Sequence, residues 1–291
     1  EMLRSLVGSE MCIRDSLYIV PAAGYYRDFL DIRWLYETWR VGKVNSREEL
    51  PEGTPGLLGG MFAVWNDHCG NGISQQDVHF RTFPAAQVLA EKMWRGKNEA
   101  VSFEEFEALC KQMPEAPGIN LLGRVQGEVV LPGQKEELSL NGTDSVATSL
   151  PEIGYPYAVE FEVNPDQEQN ISGILFKGPH STVYANWENK GNLAFSRDGY
   201  TFVFHAAILP AGEWTKVRIE GDYKGTTLYI NGEKVERLEG RIKQFYNYTH
   251  HRKDRMYVQE TLVFPMQQIG DVRNGFKGKL RNINCVRHPS F

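Results

Sequence analysis

The sequence of 291 residues lacks several features that would point to a particular kind of site. It has only four cysteines and no C-x-x-C spacing, which indicates neither a zinc site nor a disulfide framework. No apolar run reaches the ~20 residues of a membrane helix, so we predict no membrane span. The net charge of −5 argues against a nucleic-acid partner, because proteins that bind a phosphate backbone carry a basic surface.

What is present is the composition of a globular protein, with 41% hydrophobic and 24% charged residues. Residues 1–16 have no readable periodicity, and their run "MCIRDS" resembles a sequencing-library adapter translated as protein. We expect the natural sequence to begin near Leu17, so the missing signal peptide says nothing about location.

Residues 17–113 alternate between strand and helix patterns. The apolar runs 17–26 and 57–66 predict buried strands of a parallel sheet. Helical spacing over 31–40, and capping-box spacings that start at Ser74 and at Ser102, predict helices. Pro84 suits the first turn of a helix. This order of elements is typical of an α/β unit.

A second domain is predicted beyond a linker rich in proline and glycine at 114–123. Residues 124–291 contain short segments of period two, separated by turn residues, which predict an all-β sandwich. In "YAVEFEVNP", Val159, Phe161 and Val163 lie on one face of a strand, whereas the glutamates between them lie on the other. Asn231-Gly232 predicts a β-hairpin.

Candidate site residues follow the two predicted strands of the first domain. Trp65 and Asp67 come directly after the second apolar run, and Tyr26 and Asp28 follow the first. An aromatic ring can stack on a sugar and a carboxylate can accept hydrogen bonds from its hydroxyls. Trp65 as a core residue and Asp67 as a turn former remain open as alternatives.

The stretches "GGMFAVWNDHCGNGIS" and "DVHFRTFPAAQVLAEKMW" resemble the last barrel strand and following helix of glycoside hydrolase family 20, the β-N-acetylhexosaminidases. "VPAAGYYRDFLD" resembles the preceding strand of that family, with Tyr26-Arg27-Asp28 as its motif and Phe29-Leu30-Asp31 as an alternative register. The resemblance covers residues 17–113. It implies a fragment of a (β/α)8 barrel, the last two strands and helices, joined to an all-β jelly-roll sandwich.

The resemblance also implies roles for the candidate residues. Tyr26 is expected to hydrogen-bond the substrate acetamido oxygen in a substrate-assisted reaction. Asp28 and Asp67 are expected to bind ring hydroxyls, and Trp65 to form an aromatic wall. The family has a glutamate at the position of Asp67, so a bridging water is one way for the shorter side chain to reach the sugar.

The family's adjacent Asp-Glu pair, which supplies its general acid, is absent from the sequence. We therefore predict a truncated β-N-acetylhexosaminidase that is inactive as it stands. Its parent is expected to be a secreted, periplasmic or cell-surface bacterial enzyme, acting on glycans with terminal β-linked GlcNAc or GalNAc.

"EWTKVRIEGDYKGTTLYINGEKV" and "GFKGKLRNINC" resemble the hairpin and closing strand of laminin-G and concanavalin-like modules. The resemblance leaves two roles open, a spacer and a carbohydrate-binding module. A non-catalytic glycan-binding protein acting through this sandwich is therefore the alternative function. Trp187 is a candidate stacking residue, although core packing is an alternative. No cofactor is predicted, and a structural calcium in the sandwich has no motif to support it.

Overall fold

A computed structural model gives the architecture of the chain. The chain forms two compact units, residues 1–66 with 77–119, and residues 67–76 with 120–291. The predicted linker lies outside the described residues, and the predicted domain limits stay predictions. The structure describes residues 30–43, 47–64, 70, 72–96, 101–113, 131–239 and 241–287.

Three helices occur in the described residues before position 114. They are α1 (Ile32–Glu37), α2 (Gln75–Arg95) and α3 (Phe103–Gln112). The capping box predicted at Ser102 is confirmed, because Ser102 caps α3 and its N–H donates to Glu105 Oε2 at 2.9 Å. The core of this unit contains Leu35, Tyr36, Trp39, Ala85, Val88, Leu89 and Phe106.

The predicted barrel strand over 57–66 does not form where the chain is described. Residues 57–64 contain isolated bridges instead of a strand, and Leu58 is 66% exposed. A side chain at Gly60 would overlap the ring of Trp39, so this glycine permits the close packing of a loop. The described residues between 30 and 113 form no sheet, so the prediction of a (β/α)8 barrel fragment is wrong.

The prediction for Pro84 is also wrong. Pro84 lies inside α2, well beyond its first turn. The other predicted barrel strand, over 17–26, lies outside the described residues.

The second unit is a β-sandwich, which confirms the all-β fold predicted for this part of the chain. Its strands are β1 (Leu138–Asn141), β2 (Ser145–Ala147), β3 (Glu152–Ile153), β4 (Tyr157–Pro165), β5 (Ser172–Lys177), β6 (Ser181–Trp187), β7 (Asn192–Arg197), β8 (Tyr200–Ile208), β9 (Thr215–Gly221), β10 (Gly225–Ile230), β11 (Glu233–Glu239), β12 (Arg241–Asn247), β13 (Arg252–Val258), β14 (Phe264–Pro265), β15 (Gln268–Gly270) and β16 (Lys277–Arg287). The first sheet has the strand order β1-β16-β4-β9-β10-β11, and the second has the order β2-β15-β5-β6-β7-β8. Two further antiparallel pairs, β3–β14 and β12–β13, complete the described part of the unit.

The core of the sandwich follows from the alternation of side chains along the strands. On β4, Val159, Phe161 and Val163 are at most 1% exposed, as the period-two pattern predicts. Phe161 packs edge-on against Phe176 of β5, and Phe176 packs edge-on against Phe264 of β14, each at 5.1 Å between ring centroids. Aromatic contacts thus join strands of both sheets.

The hairpin predicted at Asn231-Gly232 is confirmed, and it joins β10 to β11. Both residues have positive φ, 52° and 89°, the conformation that tight two-residue hairpins require. The outermost strands β11 and β8 of the two sheets are joined by a hydrogen bond. Glu236 Oε2 of β11 accepts it from the Ala206 N–H of β8 at 3.0 Å.

Candidate functional site

The residues predicted to form the site of the first domain, Tyr26, Asp28, Trp65 and Asp67, lie outside the described residues. Their roles therefore stay predictions. The alternative register included Asp31, which is described: its side chain accepts a hydrogen bond from the Trp34 N–H at 2.9 Å and caps α1. That contact gives Asp31 a structural role.

A groove lies on the outer face of the first sheet and has a volume of about 360 Å³. It runs over β4, β9 and β16, beside the loop that precedes β1. Most of the side chains that line it are carboxylates and amides. The lining residues are Gln134, Glu160, Phe161, Glu162, Lys216, Asn282 and Asn284, and all of them except Phe161 and Lys216 are carboxylates or amides.

The strands explain why these polar side chains converge. Period two on β4 turns Glu160 and Glu162 outward between its buried residues. A β-bulge in β16 lies between Arg281 and Asn284, where two residues of β16 lie opposite the single Phe161 of β4, one residue more than a regular ladder has. Asn282 in the bulge has φ of 54°, a left-handed conformation that asparagine tolerates. The bulge thereby brings the amides of β16 to the carboxylates of β4.

Each groove carboxylate is held by two neighbours. Glu162 accepts from Arg281 Nε at 2.8 Å and from Asn282 Nδ2 at 2.9 Å, one donor on each oxygen. Glu160 accepts from Arg218 Nη1 at 2.5 Å, and Lys216 Nζ lies 3.4 Å from its other oxygen. Since a carboxylate oxygen has two lone pairs, each oxygen can accept one further hydrogen bond.

These contacts keep both carboxylates charged at neutral pH. Hydrogen bonding from Arg218 lowers the pKa of Glu160, and hydrogen bonds from Asn282 and Arg281 lower the pKa of Glu162. Burial opposes both shifts without reversing them. A carboxylate with a lowered pKa is a hydrogen-bond acceptor at neutral pH and is unsuited to act as a general acid there.

The lowered pKa of Glu162 predicts how its contribution to stability depends on pH. Because this pKa lies below the ordinary 4.5, the stabilisation is fully present above pH 4.5 and is lost as the pH falls through the folded-state value. We expect Glu162→Gln to lower the free energy of unfolding at pH 7 by up to about 1 kcal/mol, and by less at pH 3. Urea unfolding between pH 7 and pH 3 measures this, with exposed Glu213→Gln as the control. A deficit that does not change with pH would contradict the prediction.

An aromatic side chain borders the groove. Trp214, half-buried directly before β9, has the guanidinium of Arg281 over its ring at 4.0 Å from the centroid. Arg281 is therefore fixed between the indole ring and Glu162. The border combines an apolar surface with a cation whose remaining N–H groups can donate hydrogen bonds.

A second concavity, of about 560 Å³, lies at one end of the sandwich between the β4–β5 and β6–β7 connections. Two of its amide side chains, Asn186 and Gln169, bond to the backbone of neighbouring segments. Asn186 accepts from the Gly191 N–H at 2.8 Å and donates to the Asn170 carbonyl at 3.2 Å. Gln169 bonds both the N–H and the carbonyl of Lys277. These side chains hold loops together, so the groove is the better candidate for ligand binding.

The described residues contain no cluster of three His, Cys, Asp or Glu side chains that could hold a metal ion. A calcium ion in the sandwich stays a prediction. Among the described helices, none is long and apolar enough to cross a membrane.

The chain shows only weak similarity to the known proteins with which it was compared. No protein-family model and no curated protein matches the chain. Among solved structures, domain 4 of AbnA, a GH43 extracellular arabinanase from Geobacillus stearothermophilus in complex with arabinotriose, is 17% identical, with a TM-score of 0.37 over 58% of this chain and 81% of that one. A human galectin-16 variant is 10% identical, with a TM-score of 0.32 over 52% of this chain and 99% of that one. Sheep galectin-11 in complex with glycerol is 10% identical, with a TM-score of 0.27 over 51% of this chain and 100% of that one.

TM-scores below 0.5 are too low to assign a function by likeness. The described residues between 30 and 113 form three helices and no barrel strand, and the other described strands belong to the β-sandwich. The resemblance to glycoside hydrolase family 20 is therefore wrong. The prediction that the chain derives from a β-N-acetylhexosaminidase is wrong with it.

Sequence reasoning missed the groove as a site. Glu160 and Glu162 were predicted to lie on the outer face of a strand, which is confirmed, but nothing in the pattern indicated their partners. A signal that could have found it is the adjacent polar pair Arg281-Asn282 between Leu280 and Ile283, because two successive polar residues break the period-two alternation of the closing strand. It indicates a bulge with several outward side chains.

Proposed function

We propose that the sandwich is a carbohydrate-binding module and that the groove on its first sheet binds sugar hydroxyls. The observation that carries the proposal is the array of carboxylates and amides on the groove floor. Glu160 and Glu162 offer acceptors, whereas Asn282, Asn284 and Lys216 offer donors. A pyranose has neighbouring hydroxyls that both donate and accept, and such an array matches them.

The polar side chains of the groove are preorganised for ligand binding. Ion pairs and hydrogen bonds already fix Glu160, Glu162 and Arg281, so binding restricts few additional rotamers. Trp214 offers part of an apolar surface at the border. The groove lies at the small end of the range for ligand sites, which begins at about 300 Å³. It therefore suits one or two sugar residues.

Affinity is expected to be modest because the groove is open to water. We expect a Kd on the order of 1 mM for a short oligosaccharide, which corresponds to about −4.1 kcal/mol. A broad screen of oligosaccharides determines which class of sugar binds. Its panel includes arabino-oligosaccharides, β-galactosides and terminal β-linked N-acetylhexosamine, the class first expected from the sequence.

A glycan array with the full chain tests the proposal. Replacing both groove amides, Asn282→Ala with Asn284→Ala, is expected to weaken binding of the best ligand at least about tenfold, the equivalent of 1.4 kcal/mol. The matched control replaces two exposed polar residues of the end cleft, Gln167→Ala with Glu168→Ala, and is expected to bind normally. Failure of the chain to bind any glycan would refute the proposal. So would a control variant that loses binding while the groove variant retains it.

A further inference from the structure

Two aromatic side chains lie together on the second sheet, away from the groove. Tyr184 and Trp187 of β6 have ring centroids 5.0 Å apart and planes inclined by 55°. Both are half-buried, and neither is among the residues that form or line the sandwich core. The outer face of this sheet therefore carries a partly exposed aromatic pair.

A bulge is what brings the two rings together. In a regular strand, residues three apart point to opposite faces, so Trp187 would face the core if Tyr184 faced outward. The pairing of β6 with β7 shifts between these two residues: Tyr184 lies opposite Ala194, and Trp187 opposite Asn192. The irregularity places the indole beside the tyrosine ring instead of in the core.

The surrounding structure holds the pair rigidly. The Tyr184 hydroxyl lies 3.0 Å from Ser196 Oγ. Directly after Trp187, the turn has Glu188 and Asn189 in left-handed conformations, with φ of 52° and 61°. Asn186 fixes this turn by donating to Asn189 Oδ1 at 3.2 Å and accepting from the Gly191 N–H. A fixed aromatic surface loses little entropy when a ligand binds.

The side chains around the pair suit a neutral, hydroxyl-rich ligand. A row of hydroxyl side chains crosses the sheet beside it, because Thr182 and Thr201 lie opposite Ser196 on the two neighbouring strands. In the adjoining turn, Lys190 pairs with Glu188 at 2.8 Å, so the local charge cancels. Rings flanked by short hydroxyls match a pyranose, which has an apolar face and a polar rim.

We propose that Tyr184 and Trp187 form a second carbohydrate-binding surface, on the face of the sandwich opposite the groove. This inference rests on the proposed function and adds a second site to it. The ligand is one chain of a neutral soluble glycan. Because the rings are inclined by 55°, they offer no flat strip that could lie along the surface of a crystalline polysaccharide.

Affinity electrophoresis of the full chain tests the second site. The gels contain soluble arabinan, xylan, galactomannan or mixed-linkage β-glucan. Trp187→Ala is expected to weaken retention on the best polysaccharide at least about fivefold, and Trp187→Phe is expected to restore part of it. Trp94→Ala removes a tryptophan that is 89% exposed in the helical unit and serves as the matched control. Thermal melts establish that each variant is folded.

The two sites make separable contributions to this assay. The groove variant, Asn282→Ala with Asn284→Ala, is expected to keep residual retention that disappears when Trp187→Ala is added. Normal retention of folded Trp187→Ala, with loss in the groove variant, would overturn the second site and leave the proposed function standing. No retention of the unmodified chain on any polysaccharide would overturn both.

Two further outcomes would count against a single soluble glycan chain as the ligand of this face. Binding to microcrystalline cellulose that depends on Trp187 would contradict the assignment to single soluble chains. A dimer of the unmodified chain in sedimentation that dissociates in Trp187→Ala would show that the rings contact a second copy. We expect neither, so Trp187→Ala leaves the sedimentation coefficient unchanged.

Discussion

Replacing Phe176 by alanine is expected to destabilise the sandwich by about 3–5 kcal/mol, because a large buried ring is lost and a cavity remains. Phe176 is 0% exposed and contacts the rings of Phe161 and Phe264. Its removal therefore disrupts aromatic packing between strands of both sheets. Urea unfolding followed by far-ultraviolet circular dichroism measures the change in the free energy of unfolding.

The control for this substitution is Val272→Ala. Val272 is 59% exposed in the same unit, so its truncation is expected to change stability by less than about 0.5 kcal/mol. A Phe176 variant as stable as this control would mean that the two sheets do not share the core described above.

Adding one methyl group at Gly221 is expected to cost about 1–3 kcal/mol. Gly221 ends β9 and lies opposite Tyr157 of β4, and a Cβ atom there would overlap the Tyr157 ring. That ring has little room to move, since it is 2% exposed and its hydroxyl donates to the Leu262 carbonyl at 2.6 Å. Gly221→Ala therefore forces either the ring or the strand to shift.

A double-mutant cycle separates this overlap from other effects. In a Tyr157→Leu background the ring is gone, so Gly221→Ala is expected to cost less than half of its effect in the unmodified chain. Equal costs in the two backgrounds would show that the tyrosine ring is not the cause. Both variants are compared by urea unfolding at a single pH.

Local patterns predicted the sandwich because its signals lie within single strands and turns. The alternation around Phe161 and the Asn231-Gly232 pair needs no knowledge of distant residues. The apolar run at 57–66 was misleading for a physical reason. A short apolar segment with adjacent glycines satisfies the pattern of a buried strand and that of a packed loop equally well, and Gly60 serves the approach of Trp39.

The groove could not be predicted in the same way. Its central contacts join Glu162 to Arg281 and Asn282, which are 119 and 120 positions away in the sequence. Strand order decides which distant residues meet, and the sequence pattern of one strand does not contain that order. The aromatic pair was predicted only in part. Trp187 was a candidate stacking residue, but the bulge that places it beside Tyr184 was not predicted.

The contact between Glu236 and Ala206 has a consequence for how copies of the protein behave toward one another. The outermost strand of a sheet exposes backbone N–H groups that can recruit a strand from another molecule and start aggregation. On β8, the Glu236 carboxylate occupies one of these groups and places a negative charge beside the strand. A second chain that approaches this border meets a backbone donor already in use and a negative charge that resists burial. Both features protect the sandwich against growth by strand addition.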